Sequence, residues 1–329
     1  MRQVQVFVVL PPRLTLLDIA GPMEVLRRAN IEQKEVRFVV HYVAASHTIL
    51  TSIGIPICRV EPLPAALPAA AMVVVAGDVD EVMMRAGQSD SGRSRRDRAH
   101  EQAIVQWLRA VVRPGHKLIT ICSGALFAGK AGLLDGYSCT THYACCDELA
   151  ALAPKAKVLG NRLYVEDGER YSSAGIMAGV DLMLHIVGRL TDESCAAAVA
   201  RYLVVYLRRS GADPQLSPWL EGRNHIHPTV HRVQDAVSQD PAKLWDLRGL
   251  ARIAGASPRH LSRLFHEHAG VNITDYINRL RATRAHELIS QTHLDMEQVA
   301  ERAGFGSTRQ LRRAWRRLYG TTPKDARAA

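Results

Sequence analysis

No apolar run in this 329-residue chain reaches the roughly 18 residues that a membrane-spanning helix needs. The segment Met1 to Leu10 carries one arginine and a strand-like run but no small-residue cleavage site, so no signal peptide is expected. Six cysteines, at 58, 122, 139, 145, 146 and 195, form no C-x-x-C pair, and all lie before residue 196. This pattern argues against a disulfide scaffold or a cysteine-based zinc module and predicts a reduced cytoplasmic protein. His225, His227 and His231 are spaced like metal ligands, but no other ligand type lies beside them in a proline-rich segment. No metal and no cofactor are expected.

Hydrophobic residues make up 47% of the chain, enough for large cores, and the length predicts two or three domains. The net charge of +10 is uneven. Residues 225–329 hold 17 Lys and Arg against 10 Asp and Glu, while residues 1–224 hold 25 against 22. A basic excess in the C-terminal third fits a nucleic-acid-binding tail, although a basic face alone is a common solvated surface.

The same third contains a degenerate repeat. Leu250–Gly255 (LARIAG) is echoed by Val299–Gly304 (VAERAG), 49 residues later at both the Ala and the Gly. Each copy reads as a short helix, a Gly turn and a second helix rich in arginine, the layout of a helix-turn-helix whose second helix enters the DNA major groove. Ser257 suits the N-cap of the first such helix, with Pro258 at a position where its missing N–H does no harm. Ser307 suits the other cap, and Gln310, three residues on, is expected to complete a capping box. Leu261, Leu264, Phe265, Leu311 and Trp315 face inward. That leaves Ser257, Arg259, His260 and Arg263, then Ser307, Thr308, Arg309, Arg312, Arg313 and Arg316, as candidate DNA contacts. Ile273, Tyr276, Ile277, Leu280 and Leu288 form one stripe and predict a long helix that joins the motifs rigidly. A bundle with arginines on a solvated face is the bland alternative. Two Gly turns, two caps and the basic excess weigh against it.

Residues 1–209 alternate strand and helix. Strands are expected near Val4–Leu10, Arg37–Ala44, Met72–Ala76 and Lys117–Ile121. Helices are expected over Leu16–Asn30, Ala103–Val112, Asp181–Arg189 and Ala196–Leu207. Such alternation predicts an α/β domain with a parallel sheet and helices on both faces. Gly87–Arg98, GQSDSGRSRRDR, reads as a mobile basic loop. Residues 210–227 read as a linker, with an all-helical domain over 228–329. Cys122 directly follows the Lys117–Ile121 strand and precedes a helix, whose dipole is expected to lower the thiol pKa and whose N–H groups hold anions. Asp18 and His142 add a carboxylate and an imidazole, the ingredients of an activated nucleophile. Against that stands the commoner use of a lone cysteine as a small buried hydrophobe. Cys139, Cys145 and Cys146 read as core or helix-face residues.

DLRGLARIAGASPRHLSRLFHEHAG and EQVAERAGFGSTRQLRRAWRRLYGTTP closely resemble the AraC/XylS family of transcription regulators. That family more often has aromatic-Ser and Phe where this chain has Leu311-Arg312 and Trp315. LLDIAGPMEVLRRAN, ICSGALFAGKAGLLDGYSCTTHY and SSAGIMAGVDLMLHIVGRL resemble the PfpI/ThiJ superfamily, a type-1 glutamine amidotransferase-like, flavodoxin-like fold. Its nearest branch holds GlxA-type regulators and isonitrile hydratases. The resemblance implies that Asp18 stands beside Cys122, that His142 lies near the same thiol, and that the Ala76-Gly77 backbone faces it as an anion hole. Asp78 replaces the usual second glycine, and Ser123 stands where many relatives have Thr. A carboxylate beside an anion hole weakens it. That favours a ligand pocket of Asp18, Gly77, Asp78, Cys122, Ser123 and His142 over catalysis. The implied protein is a dimeric GlxA-type regulator, cytoplasmic and nucleoid-associated, that binds a double-stranded DNA operator. Its effector would be an amino acid, amine or quaternary ammonium compound, and activation through RNA polymerase is the expected mode. The competing reading is an isonitrile hydratase or amidase-like enzyme fused to a DNA-binding tail. A purely architectural DNA-binding protein would not need the α/β domain.

Overall fold

A computed structural model describes residues 1–83, 90, 92–205, 209, 211, 215, 225, 227–323 and 325–328. The chain divides into two compact units, Met1–Gln215 and Leu216–Ala329. No helix among the described residues is long and apolar enough to cross a membrane.

Seven strands form the main sheet of the first unit: β1 Arg2–Val9, β2 Val36–Ala44, β3 Glu61–Pro62, β4 Met72–Val75, β5 Lys117–Ile121, β6 Tyr164–Asp167 and β7 Arg170–Ser173. Their order across the sheet is β6-β7-β5-β4-β1-β2-β3. All pairings are parallel except β6 with β7, an antiparallel edge closed at Gly168, where φ is +59°. Such a short hairpin leaves no period long enough to read in the sequence. Along β1 the side chains alternate, Val6 and Val8 into one core and Phe7 and Val9 into the other. Both faces are therefore covered, as a parallel sheet requires. α1 (Leu17–Glu32), α4 (Met177–Leu190) and α5 (Glu193–Tyr202) cover the first face; α2 (Arg95–Val111) and α3 (Gly124–Lys130) cover the second.

One expectation changes here. Arg95, Arg96 and Arg98, read as loop, lie in the first turn of α2. Ser94 Oγ accepts the Asp97 N–H (3.1 Å), and Asp97 Oδ2 accepts the Ser94 N–H (2.9 Å), a capping box that the arginine run hides. Of the remaining expected loop, residues 87–89 and 91 lie outside the described residues, as do 210, 212–214, 216–224 and 226 of the linker and 206–207 of the last expected helix.

The second unit contains α6 (Pro228–Gln239), α7 (Leu247–Ala254), α8 (Pro258–Ala269), α9 (Ile273–Gln291), α10 (Met296–Arg302) and α11 (Thr308–Tyr319). It has two cores, and α9 serves both. Ile273, Tyr276, Ile277 and Leu280 pack with Leu250, Leu261 and Phe265; Ala282, Ala285 and Ile289 pack with Val299, Leu311 and Trp315. At 19 residues, α9 is a strut of about 28 Å. Both motif glycines are left-handed, Gly255 at φ +64° and Gly304 at +88°, so each turn suits a residue without Cβ. Ser257 Oγ accepts the His260 N–H and Ser307 Oγ accepts the Gln310 N–H, each at 3.3 Å. The expected box at Ser307 does not close, because the preceding turn brings the Gly306 N–H to Gln310 Oε1 (3.1 Å) instead. A complete box starts α10: Asp295 Oδ1 accepts the Gln298 N–H (2.8 Å), and the Asp295 N–H donates back to Gln298 Oε1 (3.3 Å).

Candidate functional site

β5 runs straight into Cys122, which takes φ +56°, a left-handed conformation that is costly for a residue with a Cβ. Its surroundings impose it. The Cys122 N–H donates to Ser173 O at the end of β7 (3.1 Å), and its carbonyl accepts Thr141 Oγ1–H (2.8 Å). Gly175, at φ +92°, lies against the thiol so closely that an added Cβ would sit 2.7 Å from Cys122 Sγ. Gly124 opens α3 tightly against β4, where an added Cβ would sit 2.9 Å from the Val75 carbonyl carbon.

Asp18, at the start of α1, is fully buried beneath this elbow. Its Oδ2 accepts the Gly77 N–H (3.2 Å), its Oδ1 accepts the Ile176 N–H (2.7 Å), and it hydrogen-bonds the Cys122 side chain. Burial raises its pKa from 3.8 to about 6, against the lowering effect of those donors. The Cys122 thiol is pushed far above its ordinary value, first by burial and then by the Asp18 charge. The helix-dipole expectation is thus overturned: a seven-residue α3 does not offset desolvation next to a carboxylate. The thiol stays protonated at neutral pH.

The presumed anion hole is likewise occupied. The Ala76 N–H donates to Val9 O (3.3 Å) and the Gly77 N–H to Asp18. Asp78 and Ser123 bond reciprocally, Asp78 N–H to Ser123 Oγ (2.9 Å) and Ser123 Oγ–H to Asp78 O (3.0 Å). The Asp78 carboxylate, expected beside the anion hole, turns instead to Arg93 Nη1 (2.6 Å), which also pairs with Glu101, while Arg93 Nε reaches Asp80 (2.8 Å). Arg93 stands 15 residues along the chain from Asp78, and no local spacing announces the pair. Asp78, Arg93, Glu101, Ser123, Lys130 and Cys145 open onto a cavity of about 580 Å³. His142 is half-buried, its imidazole held below the ordinary range by burial. Its Nδ1 accepts the Ala144 N–H (3.4 Å) and its ring lies 4.4 Å from that of Tyr143. Asp18, Gly77, Cys122 and Ser123 therefore converge, Asp78 joins them through its backbone, and His142 makes its hydrogen bond elsewhere. Sequence reading missed Arg93, Gly175 and Ile176; the Ala174-Gly175 step after β7 was the available signal. Cys139 is buried, and Cys145 and Cys146 are half-buried.

In the second unit Arg259, His260 and Arg263 are exposed on α8, and Arg309, Arg312, Arg313 and Arg316 on α11. Ser257 and Ser307 are exposed caps, and Thr308 is half-buried. Arg309, Arg312, Arg313, Arg316 and Arg317 line one groove, although Arg317 Nη1 is paired with Asp275 Oδ1 on α9 (2.6 Å). His225 stacks on His231 with ring centroids 4.4 Å apart, and His227 lies 4.5 Å from His268, a neighbour that the linear spacing does not disclose. Among the described residues no group of three or more His, Cys, Asp or Glu could hold a metal ion.

Residues 4–189 match the DJ-1/PfpI family, and residues 250–329 match a helix-turn-helix domain. The first match alone covers more than half of the chain. The chain belongs to the DJ-1/PfpI family, joined to an AraC-type helix-turn-helix domain. This DJ-1/PfpI–helix-turn-helix chain is 30% identical over 231 residues to the HTH-type transcriptional regulator GlxA of Rhizobium meliloti, across 70% of this chain and 71% of that protein. It is also 30% identical over 223 residues to the HTH-type transcriptional regulator GbdR of Pseudomonas aeruginosa. That similarity covers 68% of this chain and spans 60% of the relative's length. A THiJ/PfpI family protein from Pseudomonas syringae shares the fold, with a TM-score of 0.50 and 20% identity over 78% of this chain and 92% of that one.

Proposed function

We propose that the chain is a sequence-specific, DNA-binding transcription regulator whose α/β domain senses a small molecule. The observation that carries this reading is the pair of arginine-bearing helices, α8 and α11, each following a left-handed Gly turn and joined by the strut α9. Two such helices suit successive major-groove segments about 34 Å apart. Regulator relatives support the same reading. The enzyme reading is disfavoured by chemistry: a protonated thiol is a poor nucleophile, and the N–H groups that would stabilise an oxyanion are already engaged. The cavity beside the elbow is the effector site in this proposal; of the expected pocket residues Asp78 and Ser123 line it, and Asp18, Gly77, Cys122 and His142 do not. Its lining sets Asp78, Asp80, Glu101 and Glu148 against Arg93, Arg98 and Lys130, a mixed charge that suits the ammonium and carboxylate ends of an amino acid. Homodimerisation, activation through RNA polymerase, a nucleoid location in the cytoplasm, and domain limits of 1–209, 210–227 and 228–329 complete the proposal.

The test uses the full chain and a duplex selected by it from random sequences. Affinity should fall steeply with salt as phosphate contacts release counterions. Arg263→Ala or Arg309→Ala should each relax preference at one box, by about 1–3 kcal/mol per lost guanine contact. Equal, sequence-independent losses for both variants would show that other residues read the bases. A thermal-shift screen of amino acids, amines and quaternary ammonium compounds tests the effector class.

A further inference from the structure

The chain leaving the first unit is tied down at several described points. Arg209 donates through Nε and Nη2 to Asp181 Oδ2 (3.0 and 2.6 Å). Gly211 O accepts the Leu163 N–H (3.1 Å), and the Gln215 N–H donates to Asn161 Oδ1 (3.0 Å). Gln215 Nε2 then donates to Thr141 O (2.8 Å) and to Thr140 Oγ1 (3.2 Å).

Two of these anchors lead to the Cys122 elbow. Thr141 is fully buried, and its hydroxyl donates to the Cys122 carbonyl (2.8 Å), so its two polar groups bridge the elbow and the departing chain. Asp181 lies on α4, which begins immediately after Ile176, the residue whose N–H is held by Asp18. The Arg209–Asp181 and Gln215–Thr141 tethers therefore end on elements that touch the Cys122 elbow, while Leu163 and Asn161 hold the chain from the neighbouring loop. Gln215 is also the last residue of the first compact unit. A displacement of the Cys122 carbonyl must either break the Thr141 hydroxyl bond or move Thr141, and with it the carbonyl that holds Gln215.

We propose that Gln215 is a positioning residue which, through Thr141, couples ligand occupancy beside Cys122 to the chain segment that leads into the DNA-binding unit. The coupling rests on the ligand-responsive regulator reading above. A relay of two hydrogen bonds suits this role because each is individually weak, so a modest bias at one end shifts the other.

The experiment uses the full chain and needs no identified effector. Cys122→Met crowds the elbow as a stand-in for a ligand, and Thr141→Val removes the relay hydroxyl at nearly constant volume, with Thr141→Ser as its rescue. Two quantities are measured: hydrogen exchange of the Gln215 side-chain amide, whose Nε2 is the group Thr141 holds, and affinity for a duplex selected from random sequences by the wild-type chain. The affinity is measured again in a Gln215→Ala background. Cys122→Met and Thr141→Val should speed Gln215 exchange about fivefold, the equilibrium weight of one hydrogen bond, and change duplex affinity several-fold. Thr141→Ser should restore both, and in Gln215→Ala the affinity should no longer respond to either substitution. Thr141→Val carries the test if the larger Met unfolds the elbow. Unchanged Gln215 exchange overturns the coupling whatever the duplex does, as does an affinity response that survives Gln215→Ala. Altered exchange with unaltered affinity overturns the regulator reading, and the coupling falls with it.

Discussion

Raising the pH from 4 to 7 should destabilise the first unit through Asp18. In the folded chain this carboxyl titrates at about 6, against 3.8 for the free side chain. The sign follows from proton counting. Below pH 4 both states hold the proton and Asp18 costs nothing. Between 4 and 6 the unfolded chain has released it and the folded chain has not, so stability falls as the pH rises through the folded value. Above about 7 the loss is complete. A shift of about two units is worth about 3 kcal/mol, a large part of a typical domain's stability. Burial and hydrogen bonding oppose one another here, since the Gly77 and Ile176 N–H donors favour the anion that desolvation disfavours. The assay is denaturant-dependent hydrogen exchange of β4 and β5 peptides, in wild type and Asp18→Asn, at several pH values from 4 to 8. Asn does not titrate, and its own packing penalty is the same at every pH, so the wild type should lose about 3 kcal/mol relative to the variant across this range. A flat difference would refute the desolvation argument. Dominance by the two backbone donors would give that same flat difference, since a carboxyl held below 3.8 is ionised in both states over the whole range.

Three further outcomes are expected. At pH 7.5 iodoacetamide should alkylate the exposed Cys58 at least about tenfold faster than Cys122, because the buried thiol carries almost no thiolate; comparable rates by peptide mass spectrometry would contradict the raised pKa. Gly175→Ala should cost about 3 kcal/mol or more, since its Cβ has no room beside Cys122 and its φ of +92° is unsuited to alanine; a wild-type Tm would show that the elbow relaxes freely. Trp315→Ala should cost about 3–5 kcal/mol and loosen the core formed with Leu311 and Val299, while amides in the Leu250–Phe265 core keep most of their protection; uniform loss across both cores would show that α9 transmits unfolding between them.

Much of the helical unit was legible in the sequence because its signals are local. The caps at Ser257 and Ser307, the turns at Gly255 and Gly304, and the apolar stripe from Ile273 to Leu288 each act over a few residues, within one or two helical turns. The β-branched strands and their alternation likewise announced an α/β sheet, and recognisable segments placed Asp18 and Cys122 in one neighbourhood. The chemistry of that neighbourhood depended on tertiary structure. Asp18 meets Ile176 across 158 positions and Gly77 across 59, and the elevated thiol follows from burial that no window around Cys122 reveals. Arg93, embedded in a run that reads as a solvated loop, neutralises Asp78 only because the fold brings the end of β4 beside the start of α2. Periodicity and capping are properties of neighbours in the chain and survive in the sequence. Desolvation and charge pairing are sums over neighbours in space, so only the folded chain determines them.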